Sequence, residues 1–270
     1  MKSKKLLSRA TGALLMSTLL CFSLTACSKS NAKDTVPTKT AEVSTKKNSS
    51  NPITIKYVGN SCFYITFSDG TRLVTDPYGS SYATYFGEFP KLTADVITIS
   101  HYHSDHTAGI PDVSGSPKII QPEDLNKTIK VGNVEITGYP AHHVANMGDN
   151  TIFVYKADGF KIVHMGETDN IDSKEAQDAV KDADVILAYA GEYGVVKNKA
   201  NFEALNKLNI KVMIPQHYNT DTENIFYGQP TLEQISAELP QGTKITKANE
   251  FVIKKDMEKQ FVALTSINHK

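Results

Sequence analysis

The chain has 270 residues, with 29 basic and 29 acidic side chains, and is formally neutral at pH 7. Because there is no basic excess, the composition argues against binding of nucleic acid through a general electrostatic surface. Seven of the eight histidines lie between positions 101 and 217. This concentration indicates that the chemistry of the chain lies in that part of the sequence.

The N-terminal segment 1–26 has the pattern of a signal peptide. A basic start is followed by a mostly apolar stretch at 10–23, which is too short for a comfortable membrane span. The segment ends in Leu-Thr-Ala before Cys27, which resembles the lipobox of bacterial lipoproteins. In that family the peptide is cut before the cysteine and the thiol is acylated, so the resemblance implies a lipid-anchored protein at the cell membrane. An ordinary secretory signal is the alternative, and both place the mature protein outside the cytoplasm.

Residues 27–52 predict an acylated cysteine followed by a disordered tether. The stretch is rich in Ser, Thr, Lys and Asn and has no apolar periodicity, so it cannot bury enough surface to order itself. The remaining segment 53–270 is long enough for one domain with a sizeable core. Cys62 would be the last cysteine left unmodified, which predicts a buried small side chain and no disulfide.

The first part of the domain is predicted to consist of strands. Alternating or continuous apolar runs are separated by turn signals such as Asp69-Gly70 and Asp158-Gly159. The aromatic stretch 79–92 is predicted to be a loop beside the functional site. The predicted strands are 53–58, 63–67, 72–75, 95–100, 118–121, 134–139, 151–155 and 161–164.

The second part of the domain alternates between helices and strands. Helices are predicted at 173–180, 201–208 and 231–239, the last with Thr231 as its N-cap. Strands are predicted at 184–189 and 211–215. Strands followed by strand and helix alternation predict a layered α/β fold with sheets in the middle and helices outside.

The run His-Tyr-His-Ser-Asp-His at 101–106 directly follows a predicted strand. His101 and His103 are two residues apart, so at a strand end their side chains project in the same direction. Asp105 and His106 come just past the turn and can reach a second point nearby. Imidazole nitrogens and carboxylate oxygens are the ligands of catalytic zinc sites. The alternative is an exposed loop that is His-rich by accident.

Three further segments bring candidate ligands to the ends of predicted strands. They are His142-His143, the stretch from His164 through Glu167 to Asp169, and His217. Loops that follow strands and converge on one rim are where α/β proteins place their chemistry. The sequence therefore predicts one site assembled from several strand ends.

These motifs resemble those of the metallo-β-lactamase superfamily over residues 53–266. The run 101–106 matches the motif His-x-His-x-Asp-His, and Asp76 matches the aspartate that orients ligands from behind. His143 matches the third histidine, with His142 as its competitor, and His217 matches the last. The resemblance implies a four-layer αββα sandwich with the metal site at the rim between the two sheets.

The resemblance also implies how two metal ions would be held. One ion would be bound by His101, His103 and His143, and the other by Asp105, His106 and His217. The family has Gly-Asp-Thr where this chain has Gly166-Glu167-Thr168. Glu167 would bridge the two ions if the backbone retreats slightly, or bind only one of them, and Asp169 is close enough to substitute. His164 is expected to be a core or supporting histidine.

The implied cofactor is zinc, with two ions expected, one as the alternative, and Mn²⁺ or Fe²⁺ left open. The implied activity is hydrolysis by a metal-bound hydroxide, with Asp105 and His106 as catalytic residues. The stretch 184–217 looks most like the branch that contains ascorbate-6-phosphate lactonase and the N-acyl-phosphatidylethanolamine phospholipases D. An ester, lactone or phosphodiester in a small molecule, a lipid or a wall polymer is therefore expected as the substrate. Glu192 and Tyr193, which follow a predicted strand, are candidates for substrate contact, and a solvated loop is the alternative.

The substitution at Glu167 favours one alternative from another functional class. This is a non-catalytic surface lipoprotein that binds a metal or a ligand without turnover. The sequence leaves the oligomeric state open.

Overall fold

Two β-sheets form the centre of the fold in the computed structural model, which describes residues 51–168, 171, 173–191, 199–220 and 228–268. In chain order the strands are β1 (Thr54–Gly59), β2 (Cys62–Thr66), β3 (Arg72–Thr75), β4 (Thr93–Thr98), β5 (Ser114–Ile120), β6 (Thr128–Val131), β7 (Val134–His142), β8 (Asp149–Ala157), β9 (Phe160–His164), β10 (Val185–Tyr189), β11 (Val212–Gln216), β12 (Ile245–Ala248), β13 (Phe251–Val252) and β14 (Gln260–Leu264). The helices are α1 (Ala83–Phe86), α2 (Ser104–Thr107), α3 (Lys174–Val180), α4 (Lys199–Lys207) and α5 (Leu232–Glu238).

The first sheet has six strands in the order β13-β1-β2-β3-β4-β5. Strands β1, β2 and β3 pair antiparallel, whereas β3, β4 and β5 pair in parallel. Because parallel strands end at the same edge of a sheet, the residues that follow β3 and β4 lie side by side. Asp76 follows β3, and the histidine motif follows β4.

The second sheet has eight strands in the order β12-β14-β11-β10-β9-β8-β7-β6. Strands β9, β10 and β11 are parallel. Strand β8 is antiparallel to both β9 and β7, so β7 runs in the same direction as β9. His143, Glu167 and His217 follow β7, β9 and β11 and therefore lie at one edge of this sheet.

The main core lies between the two sheets, and alternation along the strands decides which side chains enter it. Leu73 and Val96 of the first sheet pack in the same cluster as Ile136 and Ile152 of the second. Their neighbours in the chain point to the opposite face. The four-layer arrangement predicted from the sequence depends on this central packing of sheet against sheet.

The aromatic stretch 79–92 covers the outer face of the first sheet. It contains a short 3₁₀ turn at Ser80–Tyr82 and helix α1, where a loop was predicted. Phe86 is buried against Tyr78, with ring centroids 5.2 Å apart, while Tyr85 remains half exposed. Burial of these rings stabilises the segment against the sheet. Part of the segment therefore forms helical turns, although its polar and glycine residues predicted a loop.

The helices of the second half agree with the prediction to within two residues at each end. Ser173 caps α3 by accepting a hydrogen bond from the N–H of Ala176 at 3.0 Å. Thr231 and Gln234 form a capping box at the start of α5. Helix α3 packs against β7 and β8. All five residues of β10 are buried, as expected for a parallel strand covered on both faces.

Four strands differ from the prediction, and several predicted residues lie outside the described part of the chain. Strands β6, β12, β13 and β14 were not predicted. Residues 1–50, which include the predicted signal peptide, Cys27 and most of the tether, lie outside the described residues, as do Asp169, Glu192 and Tyr193. Within the described part of the chain, Cys62 is buried, and no helix has the length and apolar character needed to cross a bilayer.

Candidate metal centre

The histidine motif leaves the first sheet as a short loop and one helical turn. Strand β4 ends at Thr98, two residues earlier than predicted, so His101 and His103 lie in the loop that follows the strand. Their ring centroids are nonetheless only 4.6 Å apart. His103 is the extended residue before α2, and this turn directs Asp105 and His106 to a second position. The motif therefore brings two pairs of candidate ligands to neighbouring positions.

The first group of ligand atoms is formed by His101, His103, His143 and Glu167. These atoms lie within 4.8 Å of one another. His143 is buried, whereas His142, the last residue of β7, is exposed. Adjacent residues of an extended chain point to opposite sides, so only one of the two histidines can face the group. The structure brings His143 into the group and leaves His142 outside it.

The second group is formed by Asp105, His106, Glu167 and His217, again within 4.8 Å of one another. His217 directly follows β11 and has a left-handed backbone with φ 53°. Its N–H donates a hydrogen bond to the carbonyl of Asn60 at 2.9 Å. This bond ties the end of β11 to the loop between β1 and β2 and so places the imidazole at the rim between the sheets.

Glu167 belongs to both groups. Its Oε1 lies 3.0 Å from Nε2 of His217, and its Oε2 lies 3.2 Å from Nε2 of His143. The peptide that carries it is fixed, because its N–H donates to Oδ1 of Asn150 at 3.0 Å and its carbonyl accepts from the N–H of Val144 at 2.9 Å. The side chain of glutamate is one carbon longer than that of aspartate, and the carboxylate of Glu167 lies between the two groups.

Gly166 allows this close approach of Glu167. Its φ of +57° is in the left-handed region, and a Cβ there would lie 2.3 Å from Oδ1 of Asn150 and 2.6 Å from Cβ of Ser100. A side chain at position 166 would push Asn150 away from the Glu167 peptide. Neither Asn150 nor Ser100 was predicted from the sequence, because both contacts join segments that are distant along the chain.

Asp76 lies buried behind the two groups of candidate ligands. The carboxylate is fully buried and accepts hydrogen bonds from the N–H of Ser100 at 2.7 Å and from Nδ1 of His106 at 2.9 Å. A carboxylate on one ring nitrogen fixes the tautomer and leaves the other nitrogen free to bind a metal. His164 is also buried below the site, with Nε2 3.2 Å from the carbonyl of Ser61 and 3.9 Å from Asp76.

Burial and neighbouring charges shift the pKa values of several side chains in the site. Burial disfavours the charged form of His106, but Glu167 and Asp76 outweigh burial and raise the pKa of this imidazole well above its usual range. Burial also opposes charge on Glu167, yet His217 and His106 hold the pKa of its carboxyl well below its usual range. Burial and the neighbouring His106 lower the pKa of His101 to about 2. His101 is therefore neutral and available as a ligand at neutral pH.

The buried imidazole nitrogens indicate whether these side chains are suited to bind a metal ion. The Nε2 atoms of His101, His143 and His217 are buried, and none makes a hydrogen bond of suitable geometry in the described part of the chain, although oxygens of Glu167 lie close to the last two. A buried polar atom without a partner is costly, and a lone pair directed at a cation removes that cost. Bonds from Zn²⁺ to nitrogen and oxygen are about 2.0–2.2 Å long. Atoms grouped this closely therefore fit one ion in each group, with Glu167 between them.

The family model described as "Beta-lactamase superfamily domain" matches residues 54–217 of the chain. This range includes the strands of both sheets that lead into the site and all the candidate ligands described above. The chain belongs to the metallo-β-lactamase superfamily.

Relatives in other organisms agree with this assignment. A UPF0173 metal-dependent hydrolase of Archaeoglobus fulgidus is 25% identical over 194 residues, which cover 62% of this chain and 83% of the relative. A UPF0173 metal-dependent hydrolase of Pyrococcus abyssi is 29% identical over 196 residues, with 62% and 85% coverage. Among solved structures, a candidate Zn-dependent hydrolase of the superfamily from Thermotoga maritima matches with a TM-score of 0.62 and 26% identity, over 78% of this chain and 98% of that one.

These similarities confirm two of the predictions made from the sequence. The fold is the predicted α/β arrangement of two sheets, shared with structures of the metallo-β-lactamase superfamily. The enzyme class is that of the metal-dependent hydrolases of this superfamily.

Proposed function

We propose that the protein is a dinuclear zinc hydrolase of the cell envelope that cleaves an ester, a lactone or a phosphodiester. The observation that carries this proposal is the position of Glu167. Its two carboxylate oxygens face two separate groups of histidines, at 3.0 Å from His217 and 3.2 Å from His143. A shared carboxylate between two nitrogen-rich ligand groups favours two zinc ions over one.

When bound, two such ions would provide hydroxide at neutral pH and polarise the bond to be cleaved. The side chains of the protein have complementary roles. Asp105 is half-buried, and its Oδ2 lies 3.6 Å from Nε2 of His106, at the open side of the second group. A carboxylate here can accept the proton of the attacking water as its oxygen bonds to the carbonyl carbon or phosphorus. The proton then passes to the leaving oxygen as its bond breaks.

The envelope location rests on the N-terminal sequence alone. A signal peptide over 1–26 with a lipobox at Cys27 would attach the domain to the outer face of the cell membrane through its N-terminal segment. A hydrolase held there would meet lipids, wall polymers and diffusible small molecules, and the branch resemblance to lactonases and phospholipases D agrees with such substrates.

Metal content and turnover of the purified full chain test the proposed function together. Elemental mass spectrometry is expected to find about two zinc ions per chain. Hydrolysis of p-nitrophenyl acetate or bis-p-nitrophenyl phosphate should be lost after chelation and should return when Zn²⁺ is added back. Bound metal without turnover of either compound would favour a non-catalytic metal-binding lipoprotein. A chain that binds no metal would contradict the proposal.

A further inference from the structure

A cavity of about 780 Å³ opens beside the first ligand group, with His101 and His103 in its wall. Its volume is within the range of small-molecule sites, about 300–1,000 Å³. Part of a substrate bound at the metal centre would therefore extend into it. The charge and polarity of the other wall residues decide what that part of the substrate can be.

The carboxylates of this cavity come from three separate segments. They belong to Glu123 in the 3₁₀ turn after β5, Asp149 at the start of β8 and Glu175 in the first turn of α3. Among the described residues that line the cavity there is no lysine or arginine. Lys174 is next to Glu175 in the chain, but its ammonium is paired with Asp178, and it does not line the cavity. The wall is therefore negatively charged at neutral pH.

The rest of the wall is mostly apolar. Pro122, Leu125, Pro140, Ala141 and Met147 line it, and Met147 is more than half exposed. The ring of Tyr102 is 55% exposed, and its hydroxyl donates a hydrogen bond to Glu123. An accessible aromatic ring beside carboxylates favours apolar groups and ammonium groups, because cations are attracted both to the ring face and to the carboxylates.

From this cavity we infer the chemical class of the substrate: an ester or lactone whose part distant from the cleaved bond is apolar and either uncharged or ammonium-bearing. An anionic group in the same position would face Glu123, Asp149 and Glu175, and the described lining has no lysine or arginine to offset their charge. Polymers with a phosphate in every repeat are disfavoured for the same reason. The inference rests on the proposed function, since it takes the metal centre as the place of bond cleavage.

Three p-nitrophenyl acyl esters of equal chain length provide the test, with a trimethylammonium, a tert-butyl or a sulfonate group at the far end. The zinc-loaded full chain is expected to hydrolyse the sulfonate ester with a kcat/KM about tenfold or more below that of the tert-butyl ester at low ionic strength. The trimethylammonium ester should equal or exceed the tert-butyl ester. Added salt should narrow the difference, because the carboxylates are exposed to solvent.

Two variants connect the preference to the cavity. The double variant Glu123→Gln with Glu175→Gln should raise the ratio of kcat/KM for the sulfonate ester to kcat/KM for the tert-butyl ester several-fold. Glu233→Gln removes an exposed carboxylate in α5, outside the cavity, and should leave the order of the three esters unchanged. Equal rates for the sulfonate and tert-butyl esters, or a difference that the double variant does not alter, would overturn the inference.

Hydroxamates that carry the same three acyl groups separate this inference from the proposed function. A hydroxamate binds zinc directly, so its dissociation constant reports the cavity without requiring turnover. The expected affinity order with no hydrolysis of any ester would support the charge preference inferred for the cavity and contradict hydrolysis of esters. Hydrolysis of the esters with the reverse order of hydroxamate affinities would contradict the inference about the cavity and would still support the proposed hydrolase function. A chain that binds neither zinc nor hydroxamate would overturn both.

Discussion

The Nδ2 of Asn60 donates a hydrogen bond to Oδ2 of Asp105 at 3.1 Å. The orientation of the amide is set from its other side, because Nε2 of Gln229 donates to Oδ1 of Asn60 at 2.9 Å. Asp105 is the only acidic residue of the histidine motif, and the bond from Asn60 fixes one of its oxygens. Such a contact determines which lone pair of the carboxylate remains for a metal or a proton.

The Asn60→Ala variant should therefore lose activity without losing its fold. Metal affinity or kcat is expected to fall about tenfold to a hundredfold, as for other partners that orient a metal ligand. The backbone carbonyl at position 60 still accepts from the Tyr57 hydroxyl and the His217 N–H, so these bonds survive. Steady-state kinetics and zinc titration of the purified variant measure the effect.

Asn209 provides a matched control for this substitution. It also has a left-handed backbone, with φ 58° against 53° for Asn60, and it also donates to a carboxylate, Oδ1 of Asp182 at 2.8 Å. Asn209→Ala carries the same backbone strain on the surface and should keep kcat within about twofold of the wild type. Equal losses in the two variants would show that backbone strain, and not the Asp105 contact, is responsible.

The length of the side chain at position 167 should determine how many metals bind. The peptide of Glu167 is held by Asn150 and Val144, so the shorter side chain in Glu167→Asp would withdraw the carboxylate by about 1.5 Å. The bound zinc is expected to fall from about two ions to about one. Glu167→Gln keeps the reach but loses the charge, and both ions should bind at least about tenfold more weakly. Elemental analysis and competition with a chromophoric chelator measure both effects, and unchanged affinity for two ions in Glu167→Asp would contradict a bridging role.

The neighbouring histidines His142 and His143 form an internal pair of test and control. His143 is buried, with Nε2 3.2 Å from Glu167, while His142 is exposed. His143→Ala should lose the metal of the first group and most of the activity. His142→Ala should retain about two zinc ions and nearly full turnover of a small ester. Loss of metal in His142→Ala with retention in His143→Ala would reverse the assignment.

The candidate ligands that lie together in the chain can be predicted from their spacing, whereas those at other strand ends were assigned with the help of the family resemblance. The spacing of His101, His103, Asp105 and His106 is sufficient because four ligand side chains occur within six residues. The supporting contacts were not predictable in this way. Gln229 and Asn60 are separated by 169 positions, and their side chains meet only because the fold brings the two segments together. No local pattern marks such a pair of amides.

The same is true of the fold: strands with a clear pattern of their own were predicted, and strands that depend on distant segments were not. Strands β10 and β11 were predicted because every residue in them is buried, which produces a continuous apolar run. Strands β6 and β12 are at the edges of the second sheet and expose alternate residues, so their sequences do not differ clearly from loops. Strand β13 has only two residues and depends on pairing with β1, about 200 positions earlier.

Cys27→Ser should release the protein from the membrane. The prediction depends on the lipobox resemblance, in which the thiol of Cys27 carries the lipid and no other part of the mature chain inserts. Fractionation of cells that produce the variant should find the protein in the soluble extracytoplasmic fraction, whereas the wild type should sediment with membranes. Cys62→Ser is the matched control and should remain with the membranes. Retention of Cys27→Ser in the membrane fraction would reject lipid anchoring at this residue.

Zinc binding should release protons and weaken as the pH falls. In the metal-free protein Glu167 and Asp76 raise the pKa of His106 well above its usual range despite its burial, so we expect this imidazole to carry a proton at neutral pH. A proton on Nε2 must leave before a metal can bind there, and each displaced proton lowers the apparent affinity about tenfold per pH unit below the pKa. His101, with its pKa lowered to about 2, releases none. Calorimetric titration with Zn²⁺ in two buffers of different ionisation enthalpy counts the released protons.

Asp76→Asn removes one of the charges that raise the pKa of His106. Zinc binding to this variant should therefore release fewer protons than zinc binding to the wild type at the same pH. An equal count in both proteins would show that His106 is not the source.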